Sequence, residues 1–307
     1  PIQAGQGMRN LILLALFRTY AKVFRDDAII AIEEPEIYLH PHAQRSLATL
    51  FDELAQRGNQ IFYSTHSGNF VDIERFDRIC LVEKRPNAQG YLSTQVRQVS
   101  VDQLLERRQR LHPAVQISER GLRERYHNIC ALEHNEAFFA RKIVLVEGET
   151  EEGSLPIFAR ALGYDLDAQG ISIVNAHGKN NLDQLYQLYT AFGIPTFLIF
   201  DNDRGGQNSD LAANRVLLRL LEEPEIDVPD ATVTSRYAIL EGNFEKEMES
   251  SLKAVSPGRY QSLKNEALQE MGKNAGKGLI ARYIAQKLVG ENLVPDFIRR
   301  ILNSIHG

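Results

Sequence analysis

The sequence predicts an α/β protein built of two α/β units with helical additions. Three observations predict it. Short apolar runs of strand length recur at 28–32, 60–63, 142–146, 171–175, 196–200 and 236–240, with helix-length segments between most of them. Strands alternating with helices imply parallel sheets joined by right-handed crossovers. Several of these runs also end in carboxylates, and open parallel sheets bind ligands just beyond the carboxyl ends of their strands.

Bulk properties set the frame. A length of 307 residues suits about two domains. Charged residues at 24% and hydrophobic ones at 43% are ordinary for a soluble globular chain. No apolar run reaches the ~18 residues of a membrane span, and the N-terminus lacks a signal-peptide pattern, so a cytoplasmic protein without membrane contact is expected. Cys80 and Cys130 are the only cysteines and form no CxxC. That suits a reducing cytoplasm and argues against a zinc or disulfide scaffold. The chain starts at Pro1 with no Met or preceding strand and reads as a piece of something longer. The net charge of −5 is uneven: residues 141–245 carry 8 basic and 17 acidic groups, residues 246–307 carry 10 and 6. An acidic centre beside a basic tail is compatible with a phosphate-backbone ligand, although a basic segment is more often only a solvated surface.

In the first region, Gln3-Ala4-Gly5-Gln6-Gly7 precedes a strongly apolar helix, Met8 to Phe24. Glycines opening a helix can offer backbone N–H groups to a phosphate; a plain turn is the competing reading. Ala28 to Ile32 then reads as a buried-type strand ending in Glu33-Glu34-Pro35. Tyr38-Leu39-His40-Pro41 follows, then a helix from Pro41 to about Gln56 with proline in its first turn. A second strand, Gln60 to Tyr63, ends in Ser64-Thr65-His66-Ser67. Ile79–Lys84 and Tyr91–Val99 read as closing strands around a hairpin turn. Residues 101–140 read as one or two charged connecting helices; Arg107, Arg108 and Arg110 are DNA-contact candidates against the plainer reading of a solvated face.

In the second region, Val144-Leu145-Val146 runs into Glu147-Gly148-Glu149-Thr150-Glu151, and Ile199-Phe200 runs into Asp201-Asn202-Asp203. If a helix begins after Gly148, Glu147 and Glu151 lie on one side of its first turn. On a continuing strand Asp201 and Asp203 point to one face. Four carboxylates at one sheet edge cannot all stay ionised without opposite charge. Oxygen-only ligands select a hard divalent ion, Mg²⁺ or Mn²⁺, and two such ions about 4 Å apart suit phosphodiester hydrolysis. The competing reading is that these acids merely cap strands and helices. Lys179, in Gly178-Lys179-Asn180-Asn181, reads equally as a phosphate contact or a surface charge, and His177 as a structural histidine more often than a ligand. Gly205-Gly206 permits close backbone approach.

These motifs carry two resemblances. A strand ending in Glu-Gly followed by one ending in Asp-x-Asp resembles a Toprim domain, a Rossmann-like metal-binding fold. The earlier ordered set resembles the second half of an ABC-type ATPase head. Gly5-Gln6-Gly7 matches the signature motif, Glu33-Glu34 the Walker B end, Leu39-His40-Pro41 the D-loop, and His66 the switch histidine. Glu33 stands where many relatives have Asp. No G-x-x-x-x-G-K-[ST] occurs, so the cradle for the β- and γ-phosphates is missing. ATP use is therefore expected only in a longer protein, with Gly5, Gly7, Glu33, Glu34 and His66 as its nucleotide-side residues. An ATPase head followed directly by Toprim resembles the OLD (overcoming lysogenisation defect) nucleases. That likeness implies a metal-dependent DNA endonuclease with two divalent ions on Glu147, Glu151, Asp201 and Asp203.

The same likeness places a further Glu and a Lys from residues 246–307 or just before them in the site. Glu245, as catalytic residue and metal ligand, is the match for the Glu, with Glu247 second; Lys277 is the match for the Lys, with Lys273 as rival. Relatives often have Pro after that Lys, where this chain has Gly278. The implied domains are the ATPase part at 1–100, a connector at 101–140, Toprim at 141–245 and a helical region at 246–307. Homodimerisation of the longer protein follows from how ABC heads share nucleotide, and a helicase partner fits the family. The alternative function is an ATP-gated DNA-binding clamp whose Toprim-like unit is not catalytic. A primase or topoisomerase piece lacks its companion elements here.

Overall fold

Among the described residues the chain forms three sheets: a parallel pair, an antiparallel pair, and a five-stranded sheet whose strands lie side by side in the order Ile171–Asn175, Lys142–Val146, Thr196–Asp201, Tyr237–Leu240 and Thr232–Val233. The computed structural model describes residues 15, 16, 19, 27–87, 89–205, 211–253 and 255–307. Gly5, Gly7, Gly206 and all of the predicted Met8–Phe24 helix except Ala15, Leu16 and Thr19 lie outside the described residues. The residues up to Ile73 together with Cys130–Glu136 form one unit, and Glu74–Ile129 with Ala137–Gly307 form the other.

In the first unit, β1 (Ile29–Glu33) pairs in parallel with β2 (Gln60–Ser64), placing Glu33 opposite Ser64. Helix α1 (Pro41–Gln56) crosses between them and buries Leu47, Leu50, Phe51 and Leu54 against Leu39 and Phe70. Its bounds match those read from the sequence. The strands are not the fully buried type expected: Ile29 is 71% and Phe62 61% exposed. In a two-stranded sheet with one helix, side chains alternate between that helix and the other face.

In the second unit, β3 (Leu81–Pro86) and β4 (Leu92–Arg97) form the predicted hairpin. Arg85 and Arg97 reach from it to the carbonyls of Gly193 and Phe192. Helix α2 (Val101–Leu111) starts at a capping box made by Ser100 and Gln103. Arg108 on α2 is buried 3.8 Å from Asp183, and His112 lies 2.6 Å from the same carboxylate. Thus Arg108 is a packing residue rather than a DNA contact or a solvated charge. Helix α3 (Glu119–Ile129) sends the Tyr126 hydroxyl to the Gln184 carbonyl.

The main sheet then runs β5 (Lys142–Val146), α4 (Glu149–Ala161), β6 (Ile171–Asn175), α5 (Lys179–Ala191), β7 (Thr196–Asp201), α6 (Leu211–Leu220), β8 (Thr232–Val233) and β9 (Tyr237–Leu240). Pairings β5–β6, β5–β7 and β7–β9 are parallel; only the short edge strand β8, not foreseen from the sequence, is antiparallel. Val144, Val146, Phe197, Ile199, Ala238 and Leu240 share a core with α4 and with α7 (Phe244–Lys253), α8 (Arg259–Met271), α9 (Lys277–Gly290) and α10 (Asp296–His306). The alternate residues Ile143, Leu145, Leu198 and Phe200 are equally buried on the opposite face, where α5 packs. Coverage of both faces explains why these strands read as unbroken apolar runs. The molecule is a mixed α/β structure with a parallel-rich sheet. Among the described residues, no helix is long and apolar enough to cross a membrane.

Candidate metal centre

Adjacent parallel strands create the site. β5 and β7 pair with Leu145 opposite Leu198, so their carboxyl ends lie side by side and deliver Glu147 and Asp201 to one edge. Gly148 serves as N-cap and α4 begins at Glu149, so Glu151 turns back toward Glu147 in the first turn. The Glu147 carboxyl lies near enough to the Asp201 backbone and to the Asp203 carboxylate to feel both. Glu151, 3% exposed, senses both Glu147 and Glu245. Thr150 donates to Glu245 at 3.3 Å, and Lys277 lies 4.0 Å from the same carboxylate. All six residues proposed from the sequence, Glu147, Glu151, Asp201, Asp203, Glu245 and Lys277, therefore gather at one place.

The aspartates do so differently from the sequence expectation. β7 stops at Asp201, and Asp203 has a left-handed φ of 57°, so strand alternation does not align them. A turn does it instead. Asn202 is fully buried; its Oδ1 accepts the Arg204 and Gly242 N–H groups, while its Nδ2 donates to Pro229 and Glu241. Lys179, at the first position of α5, donates to the Asp201 carbonyl and to Asp203 Oδ2, both at 2.5 Å. It is 8% exposed, so it is neither a surface charge nor an open phosphate contact. The sequence signal for Lys179 was its place just after a strand end and a glycine; Asn202 and Thr150 gave none beyond their position between acids.

Glu247 accepts the Glu241 N–H and caps the chain there, which leaves Glu245 as the acid that faces Glu151. Gly278 also finds its reason. A Cβ on Gly153 would sit 2.7 Å from the Gly278 carbonyl oxygen, and one on Gly278 would sit 2.9 Å from Glu149 Cβ. Helices α4 and α9 thus meet backbone to backbone at two glycines, and this contact sets Lys277 beside the carboxylates.

Negative charge dominates the centre. Burial, then Glu151 and Glu147, push the Asp201 carboxyl well above its ordinary value. Burial, with Glu147 and Glu245, pushes Glu151 up to about 8. Burial and Asp203 raise Glu147, against the opposing pull of Lys179, the Asp201 backbone and Lys277. Two buried carboxylate oxygens, Glu147 Oε2 and Asp201 Oδ1, have no hydrogen-bond partner among the described residues. Buried acceptors normally have partners. Converging acids with unfilled lone pairs and incomplete charge compensation suit a hard divalent cation.

In the first unit, Glu34 has a left-handed φ of 43° and donates its N–H to Ser64. His66 Nε2 lies 3.5 Å from Glu34 Oε1. Glu36 accepts from the Thr65 hydroxyl at 2.8 Å and the His66 N–H at 2.5 Å. The β1 and β2 ends are thereby stitched together, with Glu33 exposed at the strand terminus.

Comparison with known proteins agrees with both regions. Residues 138–203 match the model for the overcoming lysogenization defect protein-like TOPRIM domain. The second unit carries an OLD-like Toprim domain. Residues 2–71 match an AAA ATPase domain. The chain is similar to an OLD nuclease of Thermus scotoductus, 31% identical over 66% of this chain and 36% of that protein. It is also similar to the Old nuclease of Escherichia phage P2, 27% identical over 65% and 33% respectively. The chain thus spans about a third of the length of these relatives. Among solved structures, the C-terminal region of the Burkholderia pseudomallei OLD protein aligns with 54% of this chain and 97% of its own, at 24% identity and a TM-score of 0.37.

Proposed function

We propose that the Toprim domain is the centre of a metal-dependent DNA endonuclease, within a longer protein that couples cleavage to an ATPase. The observation that carries this reading is the pair of buried, unpartnered oxygens of Glu147 and Asp201 inside a cluster of acids. Glu147, Glu151, Asp201, Asp203 and Glu245 would hold two divalent ions, Mg²⁺ or Mn²⁺. When bound, such ions activate a water and neutralise charge on the leaving oxygen.

The remaining work falls to the chain's own groups. Lys179 fixes the Asp201–Asp203 turn before any ion arrives. Thr150 orients Glu245. Lys277, its side chain 81% exposed, offers a positive charge to the phosphate as negative charge builds there. Buried, proton-holding carboxyls release those protons when a cation replaces them. In the longer protein Gly5, Gly7, Glu33, Glu34 and His66 would serve ATP, with homodimerisation bringing a second head to the nucleotide. A DNA substrate and a cytoplasmic setting follow from the same reading, and a helicase partner is in keeping with it.

Incubation with supercoiled plasmid and Mn²⁺ or Mg²⁺ tests the proposal. Nicking or linearisation is expected from the wild type and none from Asp201→Ala. Equal cutting by Asp201→Ala would remove the assignment. Metal-dependent DNA binding without cutting would instead favour a non-catalytic, ATP-gated clamp, a reading that the full set of acids disfavours.

A further inference from the structure

The acids of the metal centre are not all fixed by the same means. Glu147 and Asp201 stand at the ends of the paired strands β5 and β7, and Glu151 sits in the first turn of α4. Asp203 and Glu245 depend on loops. Asp203 lies just past β7, where Lys179 holds its carboxylate. Glu245 is the second residue of α7 and is reached from β9 through Glu241, Gly242 and Asn243.

The two loops meet on one side chain. Asn202 Oδ1 accepts the Arg204 N–H at 2.9 Å and the Gly242 N–H at 2.8 Å, so a single oxygen joins the aspartate turn to the loop before α7. Its Nδ2 donates to Glu241 Oε2 at 3.1 Å and to the Pro229 carbonyl at 2.8 Å. Backbone bonds run beside it, from the Asn202 N–H to the Leu240 carbonyl and from the Asp203 N–H to the Gly242 carbonyl. From behind, the fully buried Asn214 donates to the Asn202 carbonyl at 3.0 Å. Asn243, next after Gly242, accepts the Lys246 N–H with its side chain and so caps α7.

We propose that Asn202 is a positioning residue for Glu245: it fixes the start of α7 against the aspartate turn and so holds Glu245 where it can share an ion with Glu151. The inference rests on the two-ion reading of the centre and adds to it a residue that holds no ion. Burial of Phe244, Met248 and Leu252 decides which face of α7 turns inward; the Asn202 bridge decides where the helix begins. The chemistry of the position selects asparagine. Two N–H groups need an acceptor and two oxygens need a donor, all met by one short neutral side chain. Aspartate has no donor and would set a negative charge beside Glu241. Serine carries a single oxygen, and alanine strands all four groups.

Mn²⁺ titration calorimetry on the full chain tests this, with circular dichroism to confirm the fold of each variant. The wild type should bind two ions. In Asn202→Ala one ion should bind within about threefold of wild type, since Glu147, Glu151 and Asp201 keep their places, and the other about tenfold or more weaker, the scale on which metal sites answer to loss of a supporting hydrogen bond. Made in a Glu245→Gln background, the same change should cost less than about twofold further, because the group it acts through is already gone. Equal loss at both ions, no loss at either, or a full further loss in the Glu245→Gln background overturns the proposal. Asn202→Ser keeps a hydroxyl for one of the two N–H groups and should show the same selectivity to a lesser degree, which decides the matter if the alanine variant does not fold. A wild type that takes up fewer than two ions removes the two-ion reading and the proposal with it; two ions bound alike by wild type and Asn202→Ala remove the proposal alone.

Discussion

Replacing Gly153 by alanine should loosen the Toprim centre through a carbon atom that touches no carboxylate. The added Cβ would lie 2.7 Å from the Gly278 carbonyl oxygen, well inside contact distance, and both partners are helix backbone. One helix must move by several tenths of an ångström. Overpacking of this kind costs about 1–3 kcal/mol. Alanine also gains about 1 kcal/mol over glycine in a helix, which masks part of the loss. Gly290→Ala is the control. It makes the same chemical change within α9, where an added Cβ meets nothing within 4 Å. Gly290 closes α9 whereas Gly153 lies inside α4, so the helical gain is smaller in the control and the difference between the variants is a lower bound on a clash of about 1–3 kcal/mol. In thermal unfolding, at roughly 2–4 °C per kcal/mol for a chain of this scale, Gly153→Ala should melt several degrees below Gly290→Ala. Because Lys277 directly precedes Gly278, the same variant should slow Mn²⁺-dependent cleavage about tenfold or more, as positional errors at a reacting centre do. Equal melting temperatures for the two alanine variants would refute the backbone-contact account of how α9 is placed.

Lys179→Met should destabilise the metal-free protein by somewhat less than the ~3–5 kcal/mol of breaking a fully enclosed pair, since Asp203 is 25% exposed. Excess Mg²⁺ should restore more stability to this variant than to wild type in a thermal melt, and an equal gain in both would count against Lys179 as the resident counter-charge. Glu147→Gln should raise the melting temperature in EDTA, because it removes one of several crowded charges, and abolish cleavage; a lower melting temperature would contradict the charge crowding. For pH, the folded-state carboxyls of Glu147, Glu151 and Asp201 are all raised, Glu151 to about 8. Their contribution to stability is complete below the unfolded values, 4.5 for the glutamates and 3.8 for Asp201, and is lost as pH rises through the folded ones, which for Glu151 is about 8. The acids shifted down by arginine pairs, Asp77, Glu225 and Glu291, act only in acid and leave that window untouched. In EDTA the melting temperature should therefore climb as pH falls from about 8.5 to about 6, and saturating Mg²⁺ should flatten the slope. A flat profile in EDTA would overturn the raised carboxyls.

Much of this architecture was legible before any coordinates. Strands 142–146 and 171–175 fall on the predicted residues because a doubly covered parallel strand must be apolar throughout. Helix α1 was bounded by Pro41 at its first turn. The acids were legible because they stand just past those strands. Three things escaped. Thr232–Val233 is too short to carry a period. The left-handed Asp203 broke the strand rule, and its cause, Lys179, sits 24 residues earlier. The Gly153–Gly278 contact depends on two helices separated by more than a hundred residues, and a glycine announces freedom in sequence without naming the neighbour that requires it. Gly278 instead looked like a departure from the family pattern, and only the packing shows that a small residue is needed there.

The ion pairs of Asp183 bear on how the Toprim centre can be isolated. Among the described residues its carboxylate, on α5, is answered from outside residues 141–307, by Arg108 and His112. Trimming the protein at Arg141 would strand a buried anion on the helix whose first residue steadies the aspartate turn. It would also remove Tyr126 and Phe138, which cover Gln184 and Tyr189. A piece that keeps the carboxylates in place has to begin ahead of the hairpin, near Glu74, with these helices retained as one wall of the sheet.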